Sequence, residues 1–472
     1  MGKMSGKTIL LFVLVFICYV ILGAILPFVK QPEVTEETKE NFDAAQFYGM
    51  EYIGERAAVI PDNGDALKER IRLISHARER IILSTFQFSA DESGKDMLAA
   101  LQAAAERGVK VSILTDGMPG LISMEGNSYF YALSVTENVE IKLYSPVNLL
   151  TPWKLMGRLH DKYLIVDETA YIVGGRNTYD YFLGDGPGYK NYDWDVLVYC
   201  ERGEADSLNR LEEYYENIWN QPDCRDFHGK TLTGKLPGVK NAKEKLRERY
   251  AGMQEEHPDW FEACDYEAVT KPVKEIRLIT NPTSVKAKEP LVYYEMTQLM
   301  KNAKKEVCFH TPYILCDDWM LEQLTEICGQ VETVTMMTNS VANNGNPFGT
   351  MDYAENKGDI LDTGVNILEY DGGVSYHGKC FTIDDDLVGI GSFNWDMRST
   401  YMDTEMMLVI NSEELNADMK QEMERYEAEA LTVIDENISL APEGMMPQEI
   451  SWKKALQIKL LQIFGGWARF LM

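Results

Sequence analysis

The pattern His-x-Lys-x-x-x-x-Asp occurs twice in the chain, and each copy is followed at the same interval by Gly-(Gly/Ser)-x-Asn. The first copy is His160, Lys162 and Asp167, then Gly174, Gly175 and Asn177. The second is His377, Lys379 and Asp384, then Gly391, Ser392 and Asn394. With six positions each matching at about one in twenty, one copy arises by chance at on the order of 10⁻⁸ per start site. Two copies in register therefore mean a duplicated unit, so whatever the first half of the chain builds, the second half builds again.

Strand and helix patterns alternate through each half. Ala66 to Ala77 reads as a helix, Ile81 to Phe88 as a strand, Gly94 to Arg107 as a helix and Val109 to Thr115 as a strand. After residue 275 the order recurs. Ile276 to Thr280, Glu306 to Tyr313 and Val331 to Thr338 are strand-like, and Tyr293 to Ala303 and Trp319 to Ile327 are helical. Helices between β-branched runs imply an α/β protein whose sheets are covered by helices. The expected organisation is a first half over 56–235, a charged, solvated helical linker over 236–275 and a second half over 276–440. Residues 1–30 are expected to form an anchor and 31–55 an acidic linker, while 441–472 should hold a further linker and a basic helix.

Composition narrows the partners. The net charge is −28, and such a field repels nucleic acid, whose general affinity comes from cations on its phosphates. Nucleic acid is not an expected partner. The eight cysteines show no zinc spacing and read as free thiols, with a disulfide left open. Thr8 to Val29 is apolar and uncharged, long enough at about 1.5 Å per residue to cross a bilayer. An uncleaved anchor is favoured over a cleaved signal, because no small-x-small site precedes Pro27. Lys3 and Lys7 before it, and the acidic run Glu33 to Glu40 after it, favour a single-pass protein of the cell membrane with an extracytoplasmic body. At the other end, Trp452, Leu456, Leu460, Ile463, Trp467 and Leu471 recur at helical spacing among Lys453, Lys454, Lys459 and Arg469. That helix suits a membrane interface; the alternative is a helix packing its apolar stripe on the core with its cations solvated.

In both His-x-Lys segments the two residues alternate with apolar neighbours. On a strand, i and i+2 share a face, so His and Lys project together. Asp167 and Asp384, seven residues beyond the histidines and five beyond the lysines on their strands, would face the other way and are expected to position a turn. The following glycines allow close backbone approach, and Asn177, Ser392 and Asn394 are candidates to donate to a phosphate. Two such units facing each other place two imidazoles on one phosphodiester, one to attack phosphorus and one to protonate the leaving oxygen. Lys162 and Lys379 would offset charge on the nonbridging oxygens, with no metal or other cofactor required.

These motifs resemble the phospholipase D superfamily, and the resemblance runs from about Arg56 to Ile410. The segments Gly174-Gly175-Arg176-Asn177, Asp193-Trp194-Asp195-Val196-Leu197, Thr338-Asn339-Ser340, Gly391 to Ser399 and Thr404-Glu405 are similar to its bacterial cardiolipin synthase branch. Asp403 departs from that branch, which usually has Asn there. The resemblance implies two mixed sheets flanked by helices, related by a pseudo-twofold axis around one shared active site. It marks His160, Lys162, Asp167, His377, Lys379 and Asp384 as catalytic, with His160 as nucleophile through a phosphohistidine and His377 as acid and base. It further implies crossed carboxylates, Glu405 orienting His160 and Asp195 orienting His377. The expected activity is phosphatidyl transfer on phospholipid substrates such as phosphatidylglycerol. A phosphodiesterase of the same type is the alternative, and a non-catalytic scaffold a remote one.

Overall fold

The computed structural model describes residues 6–201, 203 and 205–471, and of residues 464–468 the backbone only. Lys3 and the Trp467 side chain lie outside that description. Each half is built on seven core strands. In the first half these are β1 (Glu55–Ile60), β2 (Arg80–Thr85), β3 (Lys110–Asp116), β4 (Val139–Tyr144), β5 (Tyr163–Val166), β6 (Ala170–Gly174) and β7 (Asp195–Cys200). In the second they are β8 (Glu275–Thr280), β9 (Glu306–His310), β10 (Thr333–Asn339), β11 (Asn366–Tyr370), β12 (Cys380–Ile383), β13 (Leu387–Gly391) and β14 (Met406–Asn411). The spatial orders are β1-β7-β6-β5-β2-β3-β4 and β8-β14-β13-β12-β9-β10-β11, so the second repeats the first strand for strand. Both sheets are mixed: β2-β3-β4 and β9-β10-β11 run parallel and the other core neighbours antiparallel. Short edge strands bring each sheet to nine.

The main helices are α1 (Gly6–Ile25), α2 (Asn63–His76), α3 (Glu92–Glu106), α4 (Asp206–Trp219), α5 (Val239–Glu256), α6 (Leu291–Lys301), α7 (Asp318–Gln330), α8 (Pro347–Asp362), α9 (Glu413–Glu427) and α10 (Trp452–Gly465). Strand alternation sorts side chains between layers. Ile81 and Leu83 of β2 turn outward to α2, α3 and α5, while Ile82 turns inward. The inward layer is shared. Ile165, Val196 and Val198 of the first sheet join Val388, Ile390 and Leu408 of the second there, with α4 and α9 completing it. Outward of the second sheet, Val307, Phe309 and Met336 pack against α6, α7 and α8. Sheets buried on both faces account for strands that read as nearly continuous apolar runs.

Three expectations change on contact with the structure. The charged segment 236–275 is not a solvated linker. Val239, Ala242, Leu246 and Met253 form a stripe on α5 that is buried in the outer core of the first half. Residues 31–55 are likewise tied down: Thr35 N–H donates to Glu289 (2.8 Å), Gly49 N–H to Asn411 (3.0 Å), and Phe47 is buried. In the C-terminal segment two cations and the last residue of the apolar stripe, Leu471, meet the body. Lys454 donates to Ala342 O (2.8 Å) and Asn344 O (2.7 Å), and Arg469 pairs with Asp352 (2.6 Å). Trp452, Leu456, Leu460 and Ile463 instead face outward. All eight cysteines are unpaired.

Candidate active site

Both His-x-Lys segments are extended chain just ahead of a core strand, β5 and β12, and not part of the strand itself. What holds them is a pair of equivalent residues at the C-terminal ends of equivalent strands. Asp116, ending β3, accepts from Leu159 N–H (2.9 Å) and pairs with buried Arg158 (2.7 Å). Asn339, ending β10, accepts from Tyr376 N–H (2.9 Å) and donates to Tyr376 O (2.6 Å).

Each segment then pairs with the opposite half. Ser375–Tyr376 runs parallel to Asn191–Tyr192, and His377 N–H donates to Tyr192 O (2.6 Å). The next residue of the first half, Asp193, thereby lies beside the His377 ring, its Oδ2 2.6 Å from Nδ1. Conversely, Leu159 bridges Thr404, and His160 N–H donates to Thr404 Oγ1 (3.0 Å). The next residue, Glu405, places Oε1 2.7 Å from His160 Nδ1. The carboxylates therefore cross between halves.

The carboxylate at His377 is Asp193, however, and not Asp195. Asp195, the first residue of β7, is buried, and its Oδ2 accepts from Arg70 (2.9 Å) and Arg176 (3.1 Å). Register explains the correction. Gly174 pairs with Asp195 and the equivalent Gly391 pairs with Met407, so two residues earlier stand Asp193 and Glu405. Aligning Val196-Leu197-Val198 with Leu408-Val409-Ile410 in the sequence carries the same information. The expectation of Asn at 403 is met by a different device. Asp403 pairs with Arg398 (2.9 Å) and accepts from Arg158 N–H (3.1 Å), so its charge is balanced within the loop.

The lysines lie next to the rings. Lys162 Nζ donates to His160 O, and Lys379 Nζ donates to His377 O and approaches His377 Nδ1 (2.6 Å) and Asp193 (3.6 Å). Phe86 packs edge-on to His160 (5.4 Å) and Phe182 edge-on to His377 (5.0 Å), limiting water at each ring. Burial pushes both lysines down to about 8. Burial and the adjoining lysines also lower both imidazoles, His160 well below its ordinary value and His377 to about 4. Lys379 contributes to the lowering of His160 and Lys162 to that of His377, so the two pairs share one field. Burial raises Asp193, but Lys379 and the His377 hydrogen bond outweigh it and hold the carboxyl below its usual range. Glu405 is pushed up to about 8 by burial, which Lys162, Ser392 and Ser399 offset only in part.

The remaining candidates separate by location. Ser392 is fully buried and donates to Glu405, so it positions that carboxylate and is not placed to bind phosphate. Asn394 is buried and donates to Tyr313 OH (3.2 Å). Asn177 Oδ1 accepts from Gln87 N–H (3.2 Å), which fixes the amide near the end of β2. Asp167 and Asp384 sit at turns with φ of 50° and 49°. Asp167 accepts from the N–H groups of Arg78, Glu79 and Arg80 (2.9 Å each), and Asp384 from those of Lys304, Lys305 and Glu306 (2.8, 2.8 and 3.1 Å). These two aspartates touch backbone and not the cleft, which corrects their place among the catalytic residues. The motifs alone do not point to Asp193 as the partner of His377, nor to Ser399 or the two phenylalanines.

Among the described residues one group brings three possible metal ligands together. Cys308, His310 and Glu427 place donor atoms within 4.8 Å of one another. His310 is a satisfied core histidine, with Tyr376 OH at Nδ1 (2.8 Å) and Glu427 at Nε2 (2.9 Å).

The comparisons with known proteins agree with this geometry. A family model described as cardiolipin synthase, phospholipase D-like domain, matches residues 70–219 and 296–426, one match per half. Cardiolipin synthase C of Escherichia coli (strain K12) is 27% identical over 386 residues, covering 74% of this chain and 80% of that protein. Cardiolipin synthase 1 of Staphylococcus aureus (strain MRSA252) is 25% identical over 388 residues, covering 81% and 69%. The fold is that of the crystal structure of phosphatidylserine synthase from Haemophilus influenzae Rd KW20, with a TM-score of 0.64 over 93% of this chain and 100% of that one, at 14% identity. Duplicated sheets, crossed carboxylates and both family matches lead to one conclusion: the chain belongs to the cardiolipin synthase family of phospholipase D-like enzymes.

Proposed function

We propose that the protein is a membrane-bound phosphatidyltransferase that forms cardiolipin from phosphatidylglycerol and a second phospholipid. In the first step His160 Nε2 attacks phosphorus, the bond from phosphorus to the departing glycerol oxygen breaks, and His377 gives that oxygen its proton. In the second, the hydroxyl of the acceptor lipid loses its proton to His377 and attacks phosphorus, and the bond to His160 breaks. Lys162 and Lys379 hold the nonbridging oxygens through both transfers, and the Asn177 amide is a further donor to them. The observation that carries the reading is the crossed pairing, in which each imidazole has its Nδ1 against a buried carboxylate of the opposite half and its own lysine beside it. A proton on Nδ1 leaves the Nε2 lone pair for phosphorus.

The lipid substrate is supported by the names of the relatives and by the two ends of the chain. α1 is 20 residues long, about 30 Å at 1.5 Å per residue, with its apolar side chains exposed. We read it as a single membrane span, with the body on the extracytoplasmic side. Labelled phosphatidylglycerol in mixed micelles tests the activity. Cardiolipin and free glycerol are expected; phosphatidic acid alone would make the protein a hydrolase, and no turnover at all would sink the assignment.

A further inference from the structure

Between β4 and His160 the chain makes a loop whose side chains are not those of an ordinary surface loop. From Val147 to Trp153 it reads Val-Asn-Leu-Leu-Thr-Pro-Trp, with no charged residue. Leu150 is 70% exposed, and Leu149 and Trp153 are about half exposed at 47% and 46%. The same loop is packed against α1. Tyr19 OH donates to Leu150 O (2.8 Å), and a Cβ on Gly23 would lie 2.4 Å from Pro152 Cγ. Glycine at 23 is thus what lets the helix and the loop touch.

We propose that residues 147–153 form a wedge that inserts into the lipid surface beside α1 and turns the catalytic cleft toward the bilayer. The inference rests on reading α1 as a membrane span. Tyr19 lies six residues before the end of α1, on the order of 9 Å along its axis. A carbonyl bonded at that level belongs to a segment below the membrane boundary if the span ends near Ile25. That depth matches the roughly 5–10 Å to which interfacial apolar elements sink. A tryptophan three residues after a Leu-Leu pair and next to Lys154 suits the headgroup boundary at such a level.

Two neighbouring elements extend the same face. The short helical segment after β3, residues 117–124, abuts this loop, since a Cβ on Gly117 would lie 2.5 Å from Pro146 Cα, and it exposes Leu121 and Ile122 at 53% and 78%. On the other side Arg398 donates to Met156 O (2.8 Å) and to Leu471 O (3.3 Å), joining the wedge to the C-terminal segment. Arg398 also pairs with Asp403, two residues before Glu405. The wedge is therefore joined to the rim of the site by its own chain, seven residues from Trp153 to His160, and by this cation. A lipid headgroup reaching the histidines from the bilayer would pass over that rim without leaving the membrane.

The test uses the full chain in liposomes carrying brominated acyl chains. Bromine quenches tryptophan only in the lipid, so the quenched part of the emission should fall in Trp153→Phe relative to the wild type. The triple variant Leu149→Ser, Leu150→Ser, Trp153→Ser should stay membrane-bound through α1 and turn over a soluble short-chain diester as the wild type does. On phosphatidylglycerol in bilayers it should be slower by about tenfold. An unchanged quenched fraction in Trp153→Phe, with the protein still resistant to carbonate extraction, would overturn the wedge while leaving α1 as a span. Extraction of the wild type by carbonate would instead remove the span, and the wedge with it. Loss of a dimer in the triple variant without any change in quenching would mean that a second copy covers the loop, and would also overturn the proposal.

Discussion

Asp193 and Glu405 occupy equivalent positions in the two halves but are shifted in opposite directions. Burial opposes ionisation of both; at Asp193 the Lys379 ammonium overcomes it and holds the carboxyl below its ordinary value, whereas Glu405 is lifted to about 8. The ionised Asp193 opposes the lowering of His377 by burial and Lys379, which helps the ring hold the proton it must give away. Burial and Lys162 keep His160 neutral, as a nucleophile must be. Asp193→Asn should therefore lower kcat on a short-chain diester by on the order of 10²–10⁴. Asp195→Asn should act on folding instead, costing about 3–5 kcal/mol because it weakens the buried pairing of Arg70 and Arg176. Parallel kinetics and denaturant titrations separate the two, and a reversed pattern would restore Asp195 to the site. The lysines set a pH limit. Both are shifted down to about 8, so their ammonium charge is present below that pH and lost above it. An anionic diester should then bind less well as pH rises through about 8. The expected record is an alkaline limb in kcat/KM near that pH, and a profile flat far into the alkaline range would contradict it.

At the level of elements, the aspartates that end the two motifs act as turn clamps. Each carboxylate gathers three backbone N–H groups at a left-handed turn residue, a conformation that Asp tolerates and Ala resists. Asp167→Ala should cost about 1–3 kcal/mol of stability and leave kcat nearly unchanged in the folded fraction. Loss of kcat without loss of stability would return Asp167 to the chemistry. The C-terminal helix makes a second prediction at this scale. It is held to the body by Lys454, with Arg469, Phe470 and Leu471 of the following turn, and turns Trp452, Leu456, Leu460 and Ile463 outward. Removing residues 452–472 should leave the protein in the membrane and active on soluble diester while slowing turnover of bilayer lipid. Equal loss of both activities would make the helix part of the folded core. The strands β2, β3, β8, β9 and β10 and the helices α2, α3, α6 and α7 are legible in the sequence within a few residues because their apolar periodicity is set by burial on known faces. The crossed partner of His377 is not legible from the family segments alone. The two-residue pairing of Asn191–Tyr192 with Ser375–Tyr376 leaves no periodic trace, and only the alignment of Val196-Leu197-Val198 with Leu408-Val409-Ile410 points to Asp193. The buried face of α5 is masked for another reason: four apolar positions among many charges read as a solvated helix.

For the whole molecule, duplication does more than repeat a fold. Each half supplies the histidine and lysine of one pair and the carboxylate of the other, so neither half holds a finished site. The interleaved core of the two sheets holds that crossing in place. Two buried ammonium groups stand where a divalent ion would otherwise offset phosphate charge, and chelation with EDTA is expected to leave the rate nearly unchanged. A requirement for one specific ion, lost on chelation and restored by that ion alone, would contradict this. The central claim is that the two halves form one site in which His160 carries the phosphatidyl group. It is tested most directly by quenching the enzyme with labelled phosphatidylglycerol under alkaline conditions, where phosphohistidine survives, and mapping the label by mass spectrometry. The label is expected on His160 in the wild type and nowhere in His160→Ala. Label on His377 alone, or an unlabelled wild-type enzyme that still turns over, would contradict the claim.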